Sequence, residues 1–209
     1  MKDIVDELNR VHREVGLGRT RTGEATAVLL RRDFDASVED VWDACTDPTR
    51  ISRWFLPVTG EFTLGGRYQL EGNAGGEILR CEAPRLLRVT WEFGELPPSE
   101  VEVRLSPAGV DRTLLELEHA GIAEPPMWER FGPGAVGVGW DLTVLGLAMH
   151  LADATVEKPE EWVQNPEALA FMTASSTAWG AAYEKSGATS EEAASAAANT
   201  TAAYTIPPQ

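Results

Sequence analysis

Cysteine is scarce in this chain. Cys45 and Cys81 are the only two in 209 residues, too few for a disulfide framework or a thiolate zinc site, and both are expected as reduced, buried thiols. Positive charge is also short: 18 Lys and Arg stand against 33 Asp and Glu, a formal net charge of −15. A nucleic acid or an anionic membrane surface needs a cationic face to displace counterions, so neither partner is expected. The opening MKDIVDELNRVHREVG breaks each apolar run with charge and lacks the continuous core of a secretory signal, which makes the cytoplasm the expected compartment. Enzyme signatures are missing as well. No GxxxxGK[ST], HExxH, GxSxG or CxxC occurs, and His12, His119 and His150 fall in separate elements, so no metal and no cofactor is expected.

Hydrophobic content of 43% with 24% charged residues is that of an ordinary globule. Ile4, Leu8, Val11 and Val15 recur three or four apart, predicting an amphipathic helix over the first fifteen residues that Gly16 ends. ATAVLLRRDF (25–34) has strand composition. Ser37 three residues before Asp40 reads as a helix N-cap, and Asp47-Pro48 starts another short helix whose inner side is Ile51, Trp54 and Phe55. From 58 to 120, short strands alternate with GG, NAGG, AP, LPP and SPAG turns, which is the pattern of an antiparallel meander. Leu87, Val89, Trp91 and Phe93 share one face, as do Val101, Val103 and Leu105, with charge on the other, so one side of the sheet requires a cover.

The segment GPGAVGVGWDLTVLGLAMHL (132–151) offers that cover. Its length approaches a membrane span, but Asp141 sits near its centre, and spending the segment on a bilayer would leave the sheet bare. Gly132, Gly134 and Gly137 spell GxGxxG without the preceding parallel strand that a dinucleotide site needs. A long helix with Trp140, Val144, Leu147 and Leu151 on its stripe fits instead, its glycines expected to let the first turns lie close against the strands.

A strand, two short helices, a run of antiparallel strands and one long helix resemble, in that order, the helix-grip fold of START-like proteins (the SRPBCC superfamily). The residues look like its branch of homologues of the heat-shock protein 90 ATPase activator. The motifs are SVEDVWDACTDPTRISRWF (37–55), LGGRYQ (64–69), LLRVTWEF (86–93), TLLELEH (113–119) and GVGWDLTVLGL (137–147). The resemblance covers about residues 24–154. It implies an α+β fold in which a curved antiparallel sheet wraps around the long helix and leaves a cavity for an apolar small molecule. Outside it lie the leading helix and linker (1–23) and a helical C-terminal extension (155–209). In that extension Asn165-Pro166 begins a helix with an apolar line through Leu169, Met172, Ser176, Trp179 and Tyr183, and Thr189 with Glu192 caps a second. The tail is expected to dock on its own domain or on a partner copy as a homodimer.

Four inward residues, Trp54, Phe55, Tyr68 and Leu70, come from the first half of the expected cavity wall. Trp91, Phe93, Trp140 and Val144 complete its apolar surface, and His119 continues the face of Leu115 and Leu117. The leading expectation is a soluble carrier or sensor of an apolar or aromatic ligand, with these side chains either gripping it or filling a core. The alternative is an enzyme of the polyketide cyclase or aromatase kind, with His119, Tyr68 and Asp141 moving protons in the same cavity. A third reading, chaperone ATPase activation, follows from the family resemblance alone. The co-chaperone's additional N-terminal domain is replaced here by one helix, which counts against that reading.

Overall fold

The computed structural model describes residues 4–153 and 165–206. Eight strands form one antiparallel sheet: β1 (His12–Thr20), β2 (Gly23–Phe34), β3 (Val58–Gly60), β4 (Arg67–Leu70), β5 (Gly75–Glu82), β6 (Leu86–Trp91), β7 (Ser99–Gly109) and β8 (Arg112–Ala120), in the order β1-β2-β8-β7-β6-β5-β4-β3. Between β2 and β3 run α2 (Val38–Thr46) and α3 (Pro48–Trp54); α4 (Met127–Phe131) and the long α5 (Gly134–Leu151) follow the sheet. This is the helix-grip α+β architecture. The caps work as the sequence indicates: the Ser37 hydroxyl accepts from the Asp40 amide at 3.2 Å, and the Asp47 carboxylate from the Arg50 amide at 2.9 Å.

Alternation sorts the two faces of the sheet. Inward go Leu87 and Val89 of β6, Val101 of β7 and Leu117 of β8, while Arg88, Glu100 and Glu102 turn outward. On that outer face Arg88 bridges Glu100 at 2.6 Å, and Arg31 bridges Glu116 at 2.7 Å and Glu14 at 2.8 Å, so cross-strand pairs of opposite charge occupy the side away from the core.

The N-terminal segment departs from the predicted helix. Helix α1 spans only Ile4–Asn9, and His12–Thr20 pairs with β2 from His12↔Arg31 to Thr20↔Gly23. The three-and-four spacing up to Val15 was overridden by a full strand register, into which Gly16 and Gly18 fit better than into a helix. Gly18 is itself required there, since a Cβ would stand 2.8 Å from that of Ala27 and 2.9 Å from that of Ala120. The expected linker is largely strand as well, with Arg21 and Thr22 forming the turn of this hairpin.

Helix α5 is apolar around most of its circumference, and it packs on two sides. One face, through Trp140, Val144 and Leu147, looks toward the sheet. The other meets the C-terminal extension, in which α6 (Pro166–Lys185) and α7 (Ser190–Thr205) pack as an antiparallel pair. The predicted boundary at 154/155 lies outside the described residues. The helix starts are as expected: Asn165 caps α6, and Thr189 with Glu192 forms a reciprocal capping box on α7.

Gly134 and Gly137 of α5 serve this helical neighbour, not the strands as the sequence suggested. A Cβ on Gly137 would overlap the Trp179 indole, and one on Gly134 would stand 2.5 Å from Thr200 Oγ1. Gly146 accommodates the Trp54 carbonyl of α3, 2.7 Å from where its Cβ would be. Met172, Ser176 and Trp179 are buried, so the tail's apolar line is spent within its own chain. Thr200 donates to the Phe131 carbonyl at 3.1 Å and Asn199 to that of Arg130 at 2.9 Å, fastening α7 to α4.

Candidate functional site

Between the concave side of the sheet and α5 lies a cavity of about 260 Å³. Helix α3 supplies Ile51 and Trp54, and Phe55 follows it; β4 supplies Tyr68 and Leu70; α5 supplies Trp140, Val144 and Leu147. The strands β5 to β8 form the floor with aliphatic side chains and Trp91. Seven of the residues expected from the sequence are here: Trp54, Phe55, Tyr68, Leu70, Trp91, Trp140 and Val144. The wall reaches solvent at Phe62, Leu64 and Cys81, with Leu64 71% exposed. Phe62 and Leu64 lie in the irregular segment between β3 and β4, where no periodicity marks them.

Two expected wall residues are elsewhere. Phe93 is 51% exposed and does not line the cavity. Strand β6 ends at Trp91 and the chain turns at Gly94 (φ 60°), so the alternation that would have pointed Phe93 inward has lapsed. His119 is buried on the inner side of β8 but stands behind the aromatic wall, its ring edge-on to Trp91 and Trp140 at centroid distances of 5.9 and 5.7 Å.

The proton positions around His119 follow from its partners. Trp140 Nε1 can only donate, and it points at His119 Nδ1 at 3.1 Å, so Nδ1 is the accepting nitrogen. Nε2 therefore carries the hydrogen and donates to Ser99 Oγ at 2.7 Å, and Ser99 donates onward to the Trp91 carbonyl at 3.1 Å. Burial holds the imidazole neutral, its pKa depressed to about 3. Ser99 and His119 thus have the proximity of a nucleophile and base without the function, because the nitrogen facing the hydroxyl is already protonated.

Asp141 occupies the opposite compartment. Its carboxylate accepts from Arg13 Nε at 3.0 Å, Arg13 Nη2 at 2.9 Å, Ser175 Oγ at 2.5 Å and Trp179 Nε1 at 3.0 Å. Burial raises its pKa, opposed by the guanidinium and by the hydrogen bonds from Ser175 and Trp179. Arg13 also donates to the Leu8 and Val11 carbonyls, so one charge pair joins the N-terminal segment, α5 and α6. Tyr68 lines the cavity, but its hydroxyl donates to the Thr90 carbonyl at 2.7 Å and burial raises its pKa. The proposed acid–base trio of His119, Tyr68 and Asp141 is therefore not assembled: one member is behind the wall, one is on it, and one is on the far side of α5.

Both cysteines line the cavity, a placement their separation in sequence did not reveal. Desolvation pushes the Cys45 thiol up to about 12, whereas Cys81 is exposed, contrary to the expected burial. Among the described residues no group of three or more His, Cys, Asp or Glu could hold a metal ion.

Residues 35–152 match the family described as activator of Hsp90 ATPase homolog 1-like protein. The crystal structure of CalU16 from Micromonospora echinospora is 40% identical, with 83% of this chain and 98% of that chain covered at a TM-score of 0.69. DynU16, from the dynemicin biosynthetic locus, is 26% identical at a TM-score of 0.52, with 60% of this chain and 47% of that chain covered. MLL2253 from Mesorhizobium loti, 24% identical at a TM-score of 0.54 over 62% of this chain and 99% of that chain, shares the fold. No curated protein matches the chain. From its family match and the CalU16 likeness, which extends across most of the chain, this protein belongs to the activator of Hsp90 ATPase homolog 1-like family of START-like proteins.

Proposed function

We propose that the chain binds an apolar small molecule in the cavity between the sheet and α5, as a carrier or sensor. The observation that carries this reading is the cavity itself: about 260 Å³ lined by aliphatic and aromatic side chains, with a mouth at Phe62, Leu64 and Cys81. Apolar surface left unfilled forfeits dispersion contacts, and an apolar ligand restores them. A cavity of about 150 Å³ accommodates benzene, so this one suits roughly two fused rings. The likeness to DynU16, a protein of a biosynthetic locus, supports a product or intermediate of small-molecule biosynthesis as occupant. The cyclase alternative lacks its acid–base trio, since His119, Tyr68 and Asp141 are each bonded to different partners.

The test is native mass spectrometry and thermal shift against fused-ring compounds and fatty acids. Saturable one-to-one binding that raises Tm, and that is lost in a Val103→Phe variant narrowing the cavity, is the expected result. Binding by no member of the panel, or binding undiminished in the variant, refutes the reading.

A further inference from the structure

The side-chain N–H and O–H donors on the cavity wall are almost all committed to the protein. Trp54 donates to the Ala44 carbonyl at 3.0 Å, Trp140 to His119 at 3.1 Å and Tyr68 to the Thr90 carbonyl at 2.7 Å. Thr46 and Thr143 donate to the carbonyls four residues before them, at 2.7 and 2.8 Å. Trp91 is the exception. Its carbonyl is bonded by Ser99, its ring is held 5.0 Å from Trp140 and edge-on to His119, yet among the described residues its indole N–H has no partner. It is half-buried and lines the cavity.

We propose that Trp91 sets the specificity of this cavity: its indole N–H meets a hydrogen-bond acceptor, a carbonyl or ether oxygen, on an otherwise apolar fused-ring ligand. This rests on the cavity being a ligand site and adds the chemical class of its occupant. A ligand laid against Trp91 strips water from the N–H, and a donor covered without an acceptor loses its hydration uncompensated. A pure hydrocarbon therefore binds at a handicap that a ring ketone escapes. The packing of Trp91 on Trp140 and His119 restrains its ring, and the other two indole N–H groups are already used by the protein.

Tetralin and 1-tetralone, two fused rings differing by one carbonyl, are the probes, with affinities measured by calorimetry for the full chain and for Trp91→Phe and Trp54→Phe. The preference for tetralone over tetralin is expected to fall at least about fivefold in Trp91→Phe and to stay within about twofold in Trp54→Phe, whose N–H is already used. In the unmodified protein, one indole N–H resonance should move downfield with tetralone and not with tetralin, a readout that does not require the variant to fold. An unchanged preference in Trp91→Phe, or no such resonance, overturns the assignment while leaving the cavity reading intact. Failure of both probes to bind overturns this inference, and failure of the fatty acids as well overturns the cavity reading.

Discussion

Removing the Asp141 carboxylate tests how the C-terminal extension is held. The carboxylate is fully buried, and the side chain of its partner Arg13 is only 8% exposed. In Asp141→Asn the guanidinium stays buried beside an amide that returns no charge. Breaking a buried pair in this way costs about 3–5 kcal/mol. The Ser175 and Trp179 donors still face an amide oxygen, so their loss adds little. For a chain of 209 residues, each kcal/mol moves Tm by about 2–4 °C, giving a fall of about 6–20 °C. Arg13→Met should cost a similar amount at neutral pH. The double variant should be less destabilised than the sum of the singles by at least about 1 kcal/mol, since it strands neither charge. Urea denaturation followed by tryptophan fluorescence gives all three values, with Trp179 reporting the site directly. A single variant within about 1 kcal/mol of the parent, or a strictly additive cycle, would show that the pair does not bind the three segments together.

Gly137→Ala should lower stability by about 1–3 kcal/mol because its Cβ overlaps the Trp179 indole, while Gly139→Ala, with only Tyr204 Oη at 3.4 Å, should be neutral or up to about 1 kcal/mol stabilising; thermal melts distinguish them. Val103→Phe should be tolerated because it enters the cavity, whereas Val41→Phe, at a fully buried site on α2 away from it, should cost about 1–3 kcal/mol by the same assay. The unfolded chain takes a proton on His119 below about pH 6.5, and the folded chain refuses it down to about pH 3. Stability should therefore fall by about 1.4 kcal/mol per pH unit as pH drops below 6.5. Denaturation curves between about pH 6.5 and pH 5 should lose that slope in His119→Gln.

Local chemistry made much of the fold legible. Ser37, Asp47, Asn165 and Thr189 cap the helices they precede, and the period-two pattern through Leu87, Val89, Val101 and Leu117 identified the inner face of the sheet. The same logic failed where regularity stops. Phe93 follows the last paired residue of β6, and Phe62 and Leu64 sit between short strands. The first fifteen residues failed for another reason: Leu8, Val11 and Val15 are apolar at helical spacing, but the helix stops at Asn9 and the presence of β2 alongside puts His12 to Val15 in a sheet.

The sequence by itself determined which segments are helix or strand over most of the chain, the antiparallel meander, the covering helix and the apolar character of what lies beneath it. These are set by periodicity and by caps, which act over a few residues. Tertiary structure decided what each polar side chain faces. Trp140 and Asp141 are neighbours in sequence, yet α5 turns one to the cavity and the other to Arg13 and α6, because successive helical residues diverge by about 100° around the axis. The partners that fix the tautomer of His119 and give the α5 glycines their neighbours lie about 20 to 90 residues away in the chain. No local rule specifies contacts over such separations.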